Sequence, residues 1–280
     1  MKIYAILLAA GTGSRTGASI PKQLVKIKDK EILLRSLEIF TKSKIDFDGI
    51  IVAVPPPSVF NFDWSGFFGK NIGDAEMKKL AVITGGAERR HSTANAVKYL
   101  ENILPSYEAE NAVVFIHDSA RPFVKDEELR ILLDETVKSG AAFLCAAVTE
   151  TIKEIDSGGG AEAGRNGRKH NAVNKNVKET PIEISAETAA PLKLKTLKRE
   201  KLISAKTPQV FKFKILESAV EKAAELNFIS TDDVSLVENI GIPVVPILST
   251  GFNIKITTAL DIEIAELFCE RFDDPDPAAY

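Results

Sequence analysis

The feature that most constrains this chain is the alternation of short apolar runs with segments of helical periodicity. Each apolar run has the length of a strand. After the first run, apolar side chains recur at helical spacing in Ile32, Leu33, Leu37 and Phe40. Residues 58–79 carry several aromatic side chains without a clean period, which indicates a partly helical insertion. Strands that are apolar throughout are typical of a parallel sheet covered on both faces. The sequence therefore predicts an α/β fold with a mostly parallel sheet, with strands at 3–8, 49–54, 80–83, 112–116 and 141–148.

Polar loops follow three of these strands, at the point where each strand ends. They comprise residues 11–22, 85–92 and 117–121. Ligands of parallel sheets bind beside the carboxyl ends of the strands. We therefore expect the three loops to form one pocket.

The first loop carries two glycines and two cations, Gly11, Gly13, Arg15 and Lys22. Backbone N–H groups and positive charge at the end of a buried strand suit a phosphate group. The loop fits neither the dinucleotide fingerprint, because its sixth position is Thr16, nor the P-loop, because no Gly-Lys-Ser/Thr closes it. We interpret it as a loop that binds a nucleotide triphosphate. The alternative is a glycine turn that binds no ligand.

The loop after the fourth strand carries Asp118, which can accept ribose hydroxyl groups or hold a divalent cation. Its alternative role is to cap a turn. We expect Arg121 to orient this loop through an ion pair, and His117, which follows an apolar run, to be a buried structural histidine. No second His or Cys lies at ligand spacing from it, so no zinc site is expected. Ser92, at the start of a predicted helix, either caps the helix or contacts a ligand.

The sequence brings no nucleophile, general base and orienting acid together. Phosphoryl and nucleotidyl transfer need no protein nucleophile, because they depend on positioning and on charge stabilisation. A site with a metal ion and four cations would serve this chemistry: Arg15, Lys22, Arg199 and Lys255.

Composition narrows the class of protein. The net charge of −3 argues against nucleic-acid binding and against an anionic membrane surface. No apolar run approaches the roughly 18 residues of a membrane span, and Met1 leads into a strand without a signal peptide. Cys145 and Cys269 are expected to be reduced core residues. Together these features predict a cytoplasmic protein.

Residues 157–195 are poor in large apolar side chains, which is typical of a flexible segment. Between residues 157 and 206 there are 11 Lys or Arg against 5 Asp or Glu, so this part of an acidic protein is basic. Two interpretations are open. The segment is either a solvated, mobile insertion or an arm that contacts a phosphate or a partner.

Five motifs in order resemble one enzyme family. They are Leu8-Ala-Ala-Gly-x-Gly-x-Arg15, Pro21-Lys22-Gln23, His117-Asp118-x-Ala-Arg-Pro122, Thr207-Pro208-Gln209-x-Phe211 and Asn253-Ile-Lys-Ile-Thr257. The chain is similar to the 2-C-methyl-D-erythritol 4-phosphate cytidylyltransferases of the non-mevalonate isoprenoid pathway. The resemblance implies a three-layer, Rossmann-like nucleotidyltransferase fold in a single domain over residues 1–280. It also implies a protruding dimerisation arm with a flexible insertion at about 149–206.

The resemblance further implies substrates, a cofactor and residue roles. The substrates are CTP and a sugar-alcohol phosphate, the cofactor is Mg²⁺, and the protein is a homodimer. Arg15 and Lys22 match the cations that stabilise the triphosphate in the transition state, and Arg199 matches an arm arginine that binds the other subunit's substrate phosphate. Asp118 matches the carboxylate near the ribose and the metal. Further nucleotide contacts are Ala9, Ala10, Gly11, Gly13, Gly86 and Ser92. Further substrate contacts are Thr151, Thr231 and Lys255.

Two departures from the family pattern stand out. Ala87 occupies a position where an acidic residue is usual, so backbone groups would have to recognise the cytosine. The arm carries roughly 30 additional residues, a length typical of functional or disordered loops. Two other functions stay open from the sequence. One is a ribitol-5-phosphate cytidylyltransferase, which shares nearly all of these motifs, and the other is a non-catalytic nucleotide-sensing module.

Overall fold

The computed structural model describes residues 1–11, 20–155 and 193–272. The chain divides into two compact units, one formed by Met1–Ala146 with Ser204–Tyr280 and the other by Ala147–Ile203. The strands in chain order are β1 (Ile3–Leu8), β2 (Lys26–Ile27), β3 (Lys30–Glu31), β4 (Gly49–Val54), β5 (Leu80–Thr84), β6 (Val113–Asp118), β7 (Ala141–Ala147), β8 (Lys153–Ile155), β9 (Leu194–Thr196), β10 (Ile203–Lys212) and β11 (Val245–Leu248).

The helices alternate with these strands. They are α1 (Ile32–Thr41), α2 (Trp64–Asn71), α3 (Asp74–Met77), α4 (Arg89–Ile103), α5 (Ser106–Ala109), α6 (Asp126–Ser139), α7 (Phe213–Leu226), α8 (Asp233–Asn239) and α9 (Ala259–Phe272), with 3₁₀ turns at Lys22–Leu24 and Arg199–Lys201.

The larger unit is built on a seven-stranded sheet in the order β11-β7-β10-β6-β1-β4-β5. β1 pairs in parallel with β4 and β6, β4 pairs in parallel with β5, and β11 with β7, whereas β10 is antiparallel to β6. The predicted mostly parallel sheet is confirmed. The antiparallel strand β10 is an addition that the sequence pattern did not predict.

Helices cover both faces of the sheet. In β1, Tyr4 and Ile6 belong to one hydrophobic core with residues of α4, α7 and α8. Ala5 and Leu7 point the other way, into a second core with residues of α1, α2 and α6. Successive side chains of a strand alternate between faces, so a strand buried on both sides must be apolar throughout. This arrangement confirms the three-layer α/β fold.

The position of β1 decides where a ligand can enter. From β1 the chain moves outward through β4 to β5, and it then crosses to the opposite side of β1 to form β6. The order of the strands therefore reverses between β1 and β6. In open α/β sheets such a reversal separates the loops at the carboxyl ends of the strands and leaves a crevice there.

Two smaller predictions are also confirmed. Residues 58–79 are partly helical, and they bury Trp64 and Phe68 against the second core. Cys145 and Cys269 are buried core residues. Within the described ranges, no helix has the length and apolar character needed to cross a membrane.

The second unit is small in its described part. β8 and β9 form an antiparallel pair, and the 3₁₀ turn at Arg199–Lys201 follows. Ile152 and Leu194 are exposed apolar side chains of this unit. The predicted flexible insertion, 157–195, lies largely outside the described residues.

Candidate active site

The carboxyl ends of β1, β5 and β6 border a cavity of about 360 Å³, here called the first cavity. All three predicted loops contribute described residues to its wall, which confirms that they form one pocket. A segment after β11 contributes as well. The candidate site residues in this wall are Ala9, Ala10, Gly11, Lys22, Gly86, Ser92, Asp118 and Lys255.

Lys22 is held in place by its neighbour. Gln23 is buried, and its Nε2 donates a hydrogen bond to the carbonyl oxygen of Ala9 at 2.7 Å. The N–H of Ala9 donates to the carbonyl oxygen of Ala53 at 2.8 Å, which continues the pairing of β1 with β4. The 3₁₀ turn that carries Lys22 is therefore anchored to the end of β1, beside Ala10 and Gly11.

The second loop is packed so tightly that only glycine fits at two positions. A Cβ atom on Gly85 would meet the side chain of Ala10, and one on Gly86 would meet His91. Ser92 lies in the first turn of α4, and its Oγ accepts a hydrogen bond from the N–H of Gly86 at 3.0 Å. Ser92 thus stabilises the loop while also lining the first cavity.

Asp118, the last residue of β6, lies between two cations. Its Oδ1 is 3.1 Å from Nε of Arg89, and its Oδ2 is 2.7 Å from Nζ of Lys255. Nε of Arg121 is 4.0 Å from Oδ2. Burial raises the pKa of the Asp118 carboxyl, but Arg89 and Lys255 outweigh burial and hold that pKa well below its usual range. Asp118 is therefore ionised, with Arg89 against one of its oxygens and Lys255 against the other.

Arg89 is a site residue that the sequence did not single out. Its Nη1 is 2.7 Å from Oδ2 of Asp233, a carboxylate whose side chain is only 1% exposed. Oδ1 of Asp233 accepts a hydrogen bond from Thr93 at 2.8 Å. The N–H groups of Asp233 and Val234 donate to Oε1 of Gln209 at 2.9 and 3.0 Å. This network ties the start of α4 to α8 and β10.

A second cavity, of about 210 Å³, shares part of its wall with the first. Both cavities are lined by Arg89, Asp118 and Lys255. The predicted residues Thr231 and Lys255 are brought together here. The other lining residues are Arg121, Ala205, Lys206, Thr207, Gln209 and Asp232. Four basic side chains face two carboxylates in this wall, which makes the second cavity suited to an anion.

His117 and Arg121 have the structural roles predicted for them. His117 is fully buried, with Nδ1 2.9 Å from Oγ1 of Thr207 and Nε2 2.9 Å from the carbonyl oxygen of Arg121. The N–H of Asp118 donates to the same Thr207 oxygen at 3.1 Å. Arg121 donates from Nη1 to the carbonyl oxygen of Asn253 at 3.1 Å. These bonds fix the backbone that carries Asp118.

Four of the predicted site residues do not lie in the described part of the larger unit. Gly13 and Arg15 lie outside the described residues. Thr151 and Arg199 belong to the second unit, where both are exposed, and Nη1 of Arg199 donates to the carbonyl oxygen of Thr149 at 2.7 Å. Their roles stay predictions.

Solved structures with this fold define the class of protein. The structure of 2-C-methyl-D-erythritol 4-phosphate cytidylyltransferase from Francisella tularensis matches with a TM-score of 0.67 and 27% sequence identity, over 95% of this chain and 99% of that chain. A 4-diphosphocytidyl-2C-methyl-D-erythritol synthase matches with a TM-score of 0.66 and 25% identity, over 95% and 97%. The fold is that of an α/β nucleotidyltransferase.

Sequence relatives specify the family. The 2-C-methyl-D-erythritol 4-phosphate cytidylyltransferase profile matches residues 3–170 and 171–271. The enzyme of that name from Geobacter metallireducens is 30% identical over 273 residues, 97% of this chain and 99% of the relative. The one from Dictyoglomus thermophilum is 34% identical over 263 residues, 93% and 94%. The chain belongs to the 2-C-methyl-D-erythritol 4-phosphate cytidylyltransferase family.

His117 should give the stability of the protein a measurable pH dependence. Burial lowers the pKa of His117 to about 4, while an unfolded histidine titrates near pH 6.5. The unfolded chain then binds a proton below about pH 6.5 that the folded chain does not bind until about pH 4, so stability is lost as the pH falls through this window. His117 should account for a loss of about 2 kcal/mol in the free energy of unfolding between pH 7.5 and pH 5.

Urea denaturation followed by Trp64 fluorescence at several pH values measures this loss. The His117→Gln variant should lose that part of the pH dependence, whatever its absolute stability. His91→Gln, a change at an exposed histidine, serves as the control and should keep the wild-type slope. Equal slopes for wild type and His117→Gln would contradict the prediction.

Proposed function

We propose that this chain joins CTP to 2-C-methyl-D-erythritol 4-phosphate, giving 4-diphosphocytidyl-2-C-methyl-D-erythritol and pyrophosphate. The observation that carries the proposal is the pair of cavities with a common wall of Arg89, Asp118 and Lys255. A transferase of this kind must hold two anionic substrates side by side against their mutual repulsion. Membership of the family and the names of the relatives support the same reaction.

The first cavity is the proposed CTP site. Its loops present backbone groups at Ala10, Gly11 and Gly86, where a nucleotide can approach closely, and Lys22 lies in the same wall. Ala87 has no polar side chain, so the backbone beside it would recognise the cytosine. Arg15 would assist Lys22, a role that rests on its place in the glycine loop. These two cations would neutralise the charge that develops on the departing pyrophosphate.

The second cavity is the proposed site of the acceptor phosphate. Arg121, Lys206 and Lys255 supply positive charge there, and Thr231 supplies a hydroxyl group. An oxygen of the acceptor phosphate would attack the α-phosphorus of CTP. As that P–O bond forms, the bond to the β-phosphate breaks and pyrophosphate leaves. The protein's contribution is positioning and charge stabilisation, without a covalent intermediate.

Mg²⁺ is the proposed cofactor, and Asp118 is the residue that would contact it. Among the described residues, no group of three or more His, Cys, Asp or Glu is arranged to hold a metal ion. A single carboxylate fits Mg²⁺ nevertheless, because this ion is often bound by one or two carboxylates together with substrate phosphates and water. When bound, Mg²⁺ would supply charge neutralisation on the triphosphate.

A homodimer with exchanged arms is proposed for the second unit. The unit exposes Ile152, directly before β8, and Leu194, in β9, and a two-stranded pair is marginally stable at best alone in water. A second copy of the chain would cover this surface. Arg199 and Thr151, which are exposed, would then contribute to the acceptor site of the other subunit.

The first experiment measures pyrophosphate release from CTP with each of two acceptors. Methylerythritol 4-phosphate should support turnover, and ribitol 5-phosphate should have a kcat/KM lower on the order of 10²-fold, because unmatched polar groups are penalised in a preformed site. Preference for ribitol 5-phosphate would replace the proposed acceptor. CTP binding without release with either acceptor would indicate a nucleotide-sensing module.

Lys22→Ala should lower kcat by roughly 10²-fold or more, the scale for loss of one preorganised charge stabiliser. Steady-state kinetics with both substrates saturating provide the measurement. Lys26→Ala removes a charge of the same kind from a side chain that is 57% exposed and lies outside both cavities. This control should turn over at the wild-type rate. Near-normal turnover of Lys22→Ala would refute the role of Lys22.

Exchange of arms makes a distinct prediction for mixed dimers. Lys22→Ala and Arg199→Ala should each be impaired by roughly 10²-fold when tested alone. A dimer with one subunit of each kind would contain one site with both residues intact. Co-refolded or co-expressed mixtures should therefore recover up to half of the wild-type activity in the mixed dimers. Absence of recovery in purified mixed dimers would show that Arg199 does not act across the interface.

A further inference from the structure

Two cations, Arg89 and Lys255, line both cavities, and Lys255 is the more exposed of the two. The side chain of Lys255 is 40% exposed, against 24% for Arg89 and 11% for Asp118. Its backbone is fixed nearby, because the N–H of Ile256 donates to the carbonyl oxygen of Ala120 at 2.8 Å. The flexible end of the side chain meets Oδ2 of Asp118 at 2.7 Å. The position of the Lys255 amine therefore depends on the orientation of the Asp118 carboxylate.

The orientation of that carboxylate depends in turn on Arg89. Nε of Arg89 contacts Oδ1 of Asp118, the oxygen opposite to the one that meets Lys255. The guanidinium group is planar and rigid, so a contact on one side constrains the groups on the other. The Nη1 of Arg89 contacts Asp233 at 2.7 Å. Arg89 is thus held between two carboxylates.

Asp233 is the fixed end of this chain of contacts. It is buried, and Thr93 and the Gln209 side chain hold its carboxylate and its backbone. Asp233 is not among the described residues that line either cavity. A buried carboxylate is costly unless a cation accompanies it. Asp233 therefore has a strong energetic link to Arg89 without access to a ligand.

We infer that Arg89 and Asp233 are a positioning pair, which sets the Asp118 carboxylate and, through it, the Lys255 amine at the wall where the two substrates meet. The inference rests on the proposed function, since it concerns the step between CTP and the acceptor phosphate. If the pair served only to attach α4 to α8, its loss would lower the stability of the fold. Any loss of activity would then follow from that loss of stability. Charge-balanced variants separate these two roles.

Three variants are compared with wild type: Arg89→Gln, Asp233→Asn and the double variant. Arg89→Gln leaves Asp233 buried without its cation, so the urea midpoint should fall. The double variant removes both charges, and its midpoint should return toward wild type. The kcat/KM of the double variant should nevertheless stay low by roughly 10²-fold, the scale of a misplaced catalytic group. Recovery of kcat/KM together with the midpoint would overturn the inference.

Asp233→Asn tests positioning most directly, because it changes a residue outside both cavities and leaves Arg89 in place. The asparagine oxygen can still accept the hydrogen bond of Thr93. We expect a fall in kcat of roughly tenfold with little change in the KM for CTP. An unchanged kcat would overturn the inference. Arg90→Gln is the matched control, since Arg90 is the next residue of α4 and pairs with Glu88, and it should keep wild-type kinetics.

Crystal structures of the double variant and of wild type give a readout that does not depend on activity. In the double variant, the Asp118 carboxylate should rotate and the Lys255 amine should shift with it, and unchanged positions of both groups would overturn the inference. Wild type that releases no pyrophosphate with either acceptor would refute the proposed function. The structural comparison would still decide whether Arg89 and Asp233 position Asp118 and Lys255.

Discussion

The site depends on one interaction, the pairing of the ionised Asp118 carboxylate with Arg89 and Lys255. Asp118 ends the central strand β6, where the backbone is fixed by Thr207 and His117, and it is largely buried. A buried carboxylate must be paired, and breaking such a pair costs on the order of 3–5 kcal/mol. Arg89 and Lys255 come from distant parts of the chain, so this requirement brings α4 and the segment after β11 to the end of β6. The need to neutralise one charge thus assembles the wall shared by the two cavities.

The sequence predicted the strands with apolar runs and missed those with polar or very short sequences. β1, β4 and β6 are apolar along most of their length, because helices cover both sides of them. β10 has a polar first half and a proline at position 208, and this pattern is atypical of a central strand. Its place between β6 and β7 depends on pairing across long sequence distances. The two-residue strands β2 and β3 are too short to have a period.

The site was predictable where a residue follows a strand in a recognisable loop. Lys22, Gly86, Ser92 and Asp118 were found in this way. Arg89, Asp233 and Gln209 were missed because their significance lies in contacts between elements that are remote in sequence. One signal was nevertheless available for Arg89: a cation in the first turn of a helix opposes the helix dipole, which suggests a nearby carboxylate. Nothing in the sequence pattern indicated which carboxylate that would be.

The adjacency of β7 and β10 has a consequence for how this chain tolerates change in length. The second unit begins where β7 ends and finishes where β10 begins, and these strands are neighbours in the sheet. The two ends of the intervening segment are therefore held close together by the sheet itself. The entropy of closing a flexible loop grows slowly, by about 0.6 kcal/mol for each doubling of length. Residues inserted between these two strands should therefore lower the free energy of unfolding only slightly. This junction is a natural site for evolutionary insertions and for grafting a foreign domain.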